Sequence, residues 1–332
     1  MQMHCIAWDI VARTPGSKRL RCECAFYSGM VKPRCIGAAE VGSPGSLPLI
    51  RIHILLGIVL ALLAGSLAAQ QPDGVARQDG KVVPLRLYEP AGDTCLGIAI
   101  ISPGAGGSET GYAYLGQALA SMRYVTVIVG HPESGLQAVW KQMQGHGLRE
   151  GLARLITDAQ AYEGRFMDIA AARHWAAQRC NRGQSILLGH SMGAATAMIE
   201  AGAKNKLGLR AADGFDVYIV LSPQGSGSPP AIFPAGAWQG ISKPLLSITG
   251  SKDDELGGGS WETRREPFEN MAPGCKWFAV IDDATHMNLA GHGLSRRSQA
   301  LTIQTIQQFL LAVHQGECKL PPPQPGITML AK

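Results

Sequence analysis

The sequence predicts an α/β protein: a mostly parallel sheet with helices on both faces. Three observations predict it. Short, continuously apolar runs of β-type residues recur along the chain, and such a run suits a strand buried on both faces. Stretches of helical pattern lie between them, and strand–helix alternation is the signature of parallel strands joined by crossover helices. Glycine is frequent, at 41 of 332 residues, as tight loops require. With 46% hydrophobic and 17% charged residues, the chain has material for one large core or two small ones.

The elements follow in order. Residues 1–50 show no periodicity, hold four scattered cysteines and read as disordered, or as lying upstream of the true translation start. Residues 51–69 begin with Arg51, run apolar from Ile52 to Leu63 and end in small residues, the anatomy of a secretory signal peptide. The apolar run is short for a membrane span, which needs about 20 residues. Ser66 stands where a lipoprotein would carry its cysteine, so no lipid and no stable membrane partner are expected after cleavage. A retained anchor is the alternative, and an exported, periplasmic or secreted protein is the expectation. Residues 1–69 also hold seven Lys or Arg and three acids, so most of the formal charge of +5 sits there. No basic patch is left to suggest a nucleic-acid partner.

The exported part reads as one catalytic domain, 72–318, with a Pro-rich tail, 319–332, on the surface or disordered. "KVVPLRLYEP" alternates like an edge strand. "GIAIISPG", "YVTVIVGHP", "SILLGHS", "VYIVLSP", "PLLSITG" and "WFAVIDDATH" read as buried strands. The helical candidates are "YAYLGQALASM", "GLARLITDAQAYEGRFMDIAAARHWAAQR", "MGAATAMIEAGAK" and "RRSQALTIQTIQQFLLAVHQ".

The chemistry concentrates at "SILLGHSMGAATAMIE". A strand gives way to a small-residue helix at Ser191, flanked by Gly189 and Gly193. This is the G-x-S-x-G elbow, where a serine sits on a sharp strand-to-helix turn with helix N–H groups behind it. A serine needs a base, and in this architecture the acid and then the histidine follow at the ends of later strands. "PLLSITGSKDDE" points to Asp253, with Asp254 as the competitor, and "WFAVIDDATHMN" places His286 in the loop after its strand. Ser191 is thus the nucleophile, His286 the base and Asp253 the residue that holds the imidazole tautomer. Asp282 and Asp283 read as shaping the His286 loop, and His190 as a structural residue pointing away from the pocket. An oxyanion would take one N–H from Met192 and one from the Gly-rich loop "ISPGAGGSETGY", assigned to Ala105 with Gly106 as runner-up.

The ordered set "PGAGG", "GHSMGAAT", "GSKDD" and "DDATHMN" resembles the α/β-hydrolase superfamily over about residues 80–315. Within it, "GIAIISPGAGGSETGYAYLGQALASMRYVTVIVGHPES" and "RFMDIAAARHWAA" resemble the group of dienelactone-hydrolase-like proteins, platelet-activating-factor acetylhydrolases and cutinase-like polyester hydrolases. Two departures matter. Dienelactone hydrolases proper use a cysteine nucleophile, where this chain has Ser191, and cutinase-like enzymes place an aromatic residue where Ala105 stands. The resemblance implies an α/β-hydrolase fold with about eight strands. It also implies disulfides Cys95–Cys180 and Cys275–Cys318, each worth about 2–4 kcal/mol.

Only twenty residues, 224–243, separate the strands where many hydrolases insert a lid, so a minimal lid is expected. A longer excursion, "HPESGLQAVWKQMQGHGLRE", follows "YVTVIV". Trp140, Trp238, Trp261 and Phe233 are candidates to line the substrate pocket, each with core packing as the alternative reading, while Gly106 and His131 stand beside it, His131 as a residue that shapes its loop. No metal-ligand cluster and no dinucleotide motif stands out, so no metal and no cofactor are expected. The leading reading is an exported serine esterase acting on a small-molecule, lipid or polymer ester. The alternatives are a polyester, phospholipid or lactone hydrolase, a serine peptidase, a cofactor-free lyase or perhydrolase, or a non-catalytic binder on the same fold.

Overall fold

A computed structural model of the protein describes residues 23–27, 30–34 and 74–332, except 93, 211, 228–229 and 294. The chain divides into two units, Met1–Ala68 and Ala69–Lys332. In the first, β1 (Glu23–Tyr27) and β2 (Met30–Arg34) pair antiparallel with Tyr27 opposite Met30. No element was expected there. Phe26, Tyr27 and Val31 are β-formers beside a two-residue connection, the shortest hairpin link. The signal peptide expected at 51–69 lies outside the described residues.

The second unit begins with a short antiparallel pair, β3 (Val75–Ala76) and β4 (Val82–Val83). Pro84 interrupts the run that alternation had suggested was one strand, because it has no N–H to continue a ladder. β5 (Leu85–Tyr88) then pairs antiparallel with β7 (Tyr124–Val129) as one edge of the main sheet. Six strands run mutually parallel: β7, β6 (Gly97–Ser102), β8 (Gln184–His190), β9 (Val217–Leu221), β10 (Leu245–Lys252) and β11 (Lys276–Thr285). The order across the sheet is β12-β11-β10-β9-β8-β6-β7-β5.

β12 (Ile327–Ala331) comes from the tail expected to lie outside the domain. It pairs antiparallel with β11, with Trp277 opposite Ala331. The prolines of 321–325 stop helix formation and Gly326, at φ 89°, turns the chain into the strand. The eighth strand is therefore C-terminal, and the domain runs to Lys332.

Helices cover both faces. α1 (Ala113–Ser121) and α8 (Arg296–Gln315) pack Leu115, Leu119, Ile306 and Phe309 on one side, with Ile101, Leu188 and Ile219 of the sheet. α4 (Ala159–Ala177) and α5 (Met192–Glu200) pack Tyr162, Ile169, Ala195 and Met198 on the other, with Ile100, Leu187 and Val220. Neighbouring strand residues thus serve opposite faces, the period of two that strands impose. The helix expected over 151–179 is divided: α3 (Leu148–Ile156) ends at Thr157, and Asp158 caps α4 by accepting the Gln160 N–H. α2 (Leu136–Met143) precedes α3 as the other arm of a helical hairpin. Among the described residues between β9 and β10 the one helical element is a 3-10 turn, Ala237–Gly240.

Disulfides join Cys95 to Cys180 and Cys275 to Cys318, the pairs the resemblance implied. Among the described residues no helix is long and apolar enough to cross a membrane.

Candidate active site

β8 ends at His190, and Ser191, the residue between it and α5, adopts φ 54° and ψ −115°, a conformation L-residues rarely take. Contact explains its glycine neighbours. A Cβ on Gly189 would lie 2.0 Å from the Gly193 carbonyl oxygen, and one on Gly193 would lie 2.0 Å from the Ser102 carbonyl oxygen. Backbone packs on backbone at both flanks of the serine, whose N–H donates to the Leu221 carbonyl at 3.0 Å. Met192 opens α5, so no carbonyl of its own helix reaches its amide.

The ends of β10 and β11 are offset by a bulge. Gly250 pairs with Ile281 but Lys252 with Thr285, and Asp283 at φ 58° donates its N–H to Ser251 Oγ at 2.8 Å. A Cβ on Gly250 would lie 2.0 Å from the Ala284 carbonyl oxygen. After α6 (Glu266–Asn270), His286 follows, not in an open loop but as the first residue of the one-turn helix α7 (His286–Leu289), held by a capping box between Thr285 and Asn288. His286 Nδ1 lies 2.8 Å from Asp253 Oδ1. Asp253 is fully buried, and its other oxygen accepts from Thr249 Oγ1 at 3.0 Å. Asp254, the other candidate, is exposed.

Arg264 completes the environment of Asp253. It is buried, its Nη2 lies 3.0 Å from Asp253 Oδ1, and its Nε donates to the Asp253 carbonyl at 2.7 Å. It also donates to the carbonyls of Ser222 at 3.1 Å, Pro223 at 3.2 Å and Asp254 at 3.2 Å. One guanidinium therefore ties the loops after β9 and β10 together beneath the carboxylate. A buried carboxylate is costly to keep without such partners.

The Pro103–Gly107 loop lies over the serine, and a Cβ on Gly104 would come 3.2 Å from Ser191 Cβ. Its amides are mostly committed: Gly104 N–H donates to Tyr112 Oη at 3.1 Å, Gly106 to the Ser134 carbonyl at 2.8 Å and Gly107 to the Gly104 carbonyl at 3.0 Å. Among these four residues the Ala105 amide alone donates to no described group. Arg165, fully buried, supports the loop from beneath. It donates to the Pro103 carbonyl, to Ser102 Oγ at 2.9 Å, to Ser134 Oγ at 2.6 Å and to Thr196 Oγ1 of α5 at 3.0 Å. Burial among neutral partners pushes its pKa down to about 10.

No family model matches the chain, and no curated protein matches it by sequence. Solved structures do resemble it. A PEG-bound complex of a novel cold-adapted esterase from an Arctic intertidal metagenomic library aligns with a TM-score of 0.50 and 17% identity, covering 69% of this chain and 89% of that one. An alpha-beta serine hydrolase homologue from Coxiella burnetii aligns with a TM-score of 0.48 and 15% identity, covering 73% of this chain and 100% of that one. The likeness to the esterase is one of fold, and the mostly parallel eight-stranded sheet with helices around it agrees with that. The chain has the α/β-hydrolase fold.

This hydrolase fold brings Ser191, Asp253 and His286 to the C-terminal ends of β8, β10 and β11, where open α/β sheets form their clefts. Ser191, His286, Ala105 and Gly106 line a cavity of about 720 Å³. The aromatic candidates do not. Trp140 is exposed on α2, Trp261 packs near Phe268, and Trp238 and Phe233 are core residues with rings 5.4 Å apart. His131 is not a substrate contact either: it is buried, with Nδ1 2.9 Å from Asp168 and Nε2 2.9 Å from Ser102 Oγ. The side of the cleft formed by α2 and α3 is aliphatic instead, while Asp254, Glu255 and Arg264 line another part. Spacing within those helices, Leu136 with Val139 and Leu148 with Leu152, was the available signal.

His190 differs from expectation too. It lies beside the site, its ring 4.6 Å from that of His286, and its Nδ1 is 2.8 Å from Tyr112 Oη. Burial first, then the neighbouring His286, hold its pKa well below the ordinary range, so it stays neutral. Arg264 had no marker in the sequence. It stands next to Arg265, which pairs with Glu269 at 2.7 Å on the surface, and only the fold separates the two. Among the described residues no group of three or more His, Cys, Asp and Glu is arranged to hold a metal ion.

Proposed function

We propose that this chain is a serine hydrolase of carboxylic esters that works through an acyl-enzyme. The reading rests on one juxtaposition: a serine on a strained elbow and a histidine backed by a buried carboxylate line the same cavity. Ser191 Oγ attacks the ester carbonyl carbon while His286 Nε2 takes its proton. Asp253 holds the Nδ1–H and stabilises the imidazolium. The oxyanion is received by the amides of Ala105 and Met192, each donor of this kind being worth about 10²–10³ in rate. Collapse of the tetrahedral species expels the alcohol, which takes the proton from His286. Water then attacks the acyl-enzyme with His286 again as base, releasing the acid and restoring Ser191.

Export fits the same reading. The two disulfides are of a kind that persists in oxidising compartments, and residues 51–69 have the sequence of a signal peptide.

The test is hydrolysis of p-nitrophenyl esters from acetate to palmitate by the full chain, with Ser191→Ala beside it. Activity in the parent that disappears in the variant supports the reading. A folded parent that cleaves none of the esters, and takes no fluorophosphonate label at Ser191, refutes it.

A further inference from the structure

The helical hairpin after β7 is the element that the proposed chemistry leaves unexplained. Its arms, α2 and α3, send Leu136, Val139, Leu148, Leu152 and Ile156 into the cleft. Val139 reaches the oxyanion loop itself, since a Cβ on Gly106 would lie 3.3 Å from Val139 Cγ2. The wall therefore starts beside the atoms that would hold the reacting carbonyl. It continues outward: Val139 and Ile156 are buried, whereas Leu136 and Leu148 are 60% and 55% exposed at the rim. Trp140, one turn after Leu136, is 61% exposed beside them. No charged side chain of the hairpin lines the cleft. Large exposed aliphatics are unfavourable in water, and several in one line from a reacting centre to the surface suit an extended apolar ligand.

The two halves of an ester can be told apart. His286 must protonate the departing oxygen, so the alcohol lies on its side of the cleft, where Met287, Ala290 and His292 also line the cavity. The hairpin wall joins the oxyanion loop and so faces the acyl half. We propose that the α2–α3 hairpin is an acyl-chain site and that the substrate class is esters of extended aliphatic carboxylic acids. This rests on the esterase reading above and narrows it.

Each methylene of the acid that leaves water against this wall should raise kcat/KM by up to about fourfold. The experiment measures kcat/KM for p-nitrophenyl acetate, octanoate and palmitate with the full chain, the double variant Leu136→Ser/Leu148→Ser and the cleft-filling variant Leu152→Trp. The rim leucines are solvent-facing, so the double variant tests the site without opening the core. The expected parent prefers octanoate to acetate by more than tenfold, and both variants lower the octanoate-to-acetate ratio at least tenfold. A parent that cleaves acetate best overturns the proposal while leaving the esterase reading intact, and so do variants that change all esters in proportion. Loss of every activity in the parent, without fluorophosphonate labelling of Ser191, removes both together.

Discussion

Two sets of Ser, His and Asp meet the Pro103–Gly107 loop, and they are chemically alike but oppositely placed. In one, His286 Nδ1 stands 2.8 Å from Asp253, and Ser191 faces the cleft. In the other, His131 Nδ1 stands 2.9 Å from Asp168, and Nε2 is 2.9 Å from Ser102 Oγ. By residue type and hydrogen bond the second set has the better closed relay. It is nevertheless sealed: Ser102 and Asp168 are fully buried, and Arg165 occupies the serine oxygen. Its histidine is kept neutral by burial, reinforced by the positive charges of Arg165 and Arg77. The same three side-chain types thus serve as a pillar under the Pro103–Gly107 loop in one place and are proposed to react in the other. What separates them is access to a cavity and a hydroxyl left uncommitted.

The sharpest way to break this contrast is to remove each serine. Ser191→Ala should cut kcat by about 10⁶-fold with the melting temperature kept. Ser102→Ala should keep fluorophosphonate labelling at Ser191. It should cost about 1–3 kcal/mol in stability, because His131 and Arg165 lose a buried partner. Labelling lost in Ser102→Ala at unchanged stability would make the buried set a participant. The acids should divide in the same way. Asp253→Asn is expected to lower kcat by about 10⁴-fold in a folded protein. Asp168→Asn is expected to act on stability, by about 3–5 kcal/mol in chemical denaturation, since Arg77 at 2.8 Å then loses a buried carboxylate.

Arg264 sharpens the comparison further. Arg264→Gln should lower kcat by about 10²-fold with KM nearly unchanged, through misplacement of Asp253, and Arg264→Lys should recover part of the loss. An equal effect on KM would mean that the guanidinium binds substrate instead.

The smallest effect is in pH. The buried His131 has its pKa held well below 6.5, so below pH 6.5 the unfolded chain binds a proton that the folded one does not, and stability falls as the pH is lowered. Asp168, raised by burial to about 6 from 3.8, acts in the opposite sense between those values. The stability advantage of the parent over His131→Gln should therefore shrink from pH 7 toward 5.5, by up to about 1.4 kcal/mol per pH unit. A constant difference would place the proton elsewhere.

Local pattern and long-range contact divided the information in this chain. The elbow was legible because Gly189, Ser191 and Gly193 are a local requirement: glycine is needed wherever strand and helix backbones touch within five residues. The succession of strands along the chain, and Asp253 and His286 as candidates beside them, followed from where apolar runs end. The N-terminal hairpin, the division of α3 from α4 and the strand hidden in the Pro-rich tail were missed. Each depends on pairing or capping that composition obscures. Of the aromatic residues weighed between cleft and core, Trp238 and Phe233 fill the core, because large rings gain most from complete burial.

By itself, then, the sequence determined the α/β alternation, the Gly-x-Ser-x-Gly elbow at Ser191 and the two pairs of cysteines that the hydrolase resemblance implied. Tertiary structure alone decided that Asp253 rather than Asp254 meets His286, that the Ala105 amide is uncommitted while Gly106 is bound to Ser134, and that Arg264 lies beneath the acid while Arg265 faces solvent. The reason is physical. A motif records what neighbouring residues must satisfy within a turn or two, whereas burial, charge pairing and the path of a cleft are set by groups that meet across tens of residues of chain.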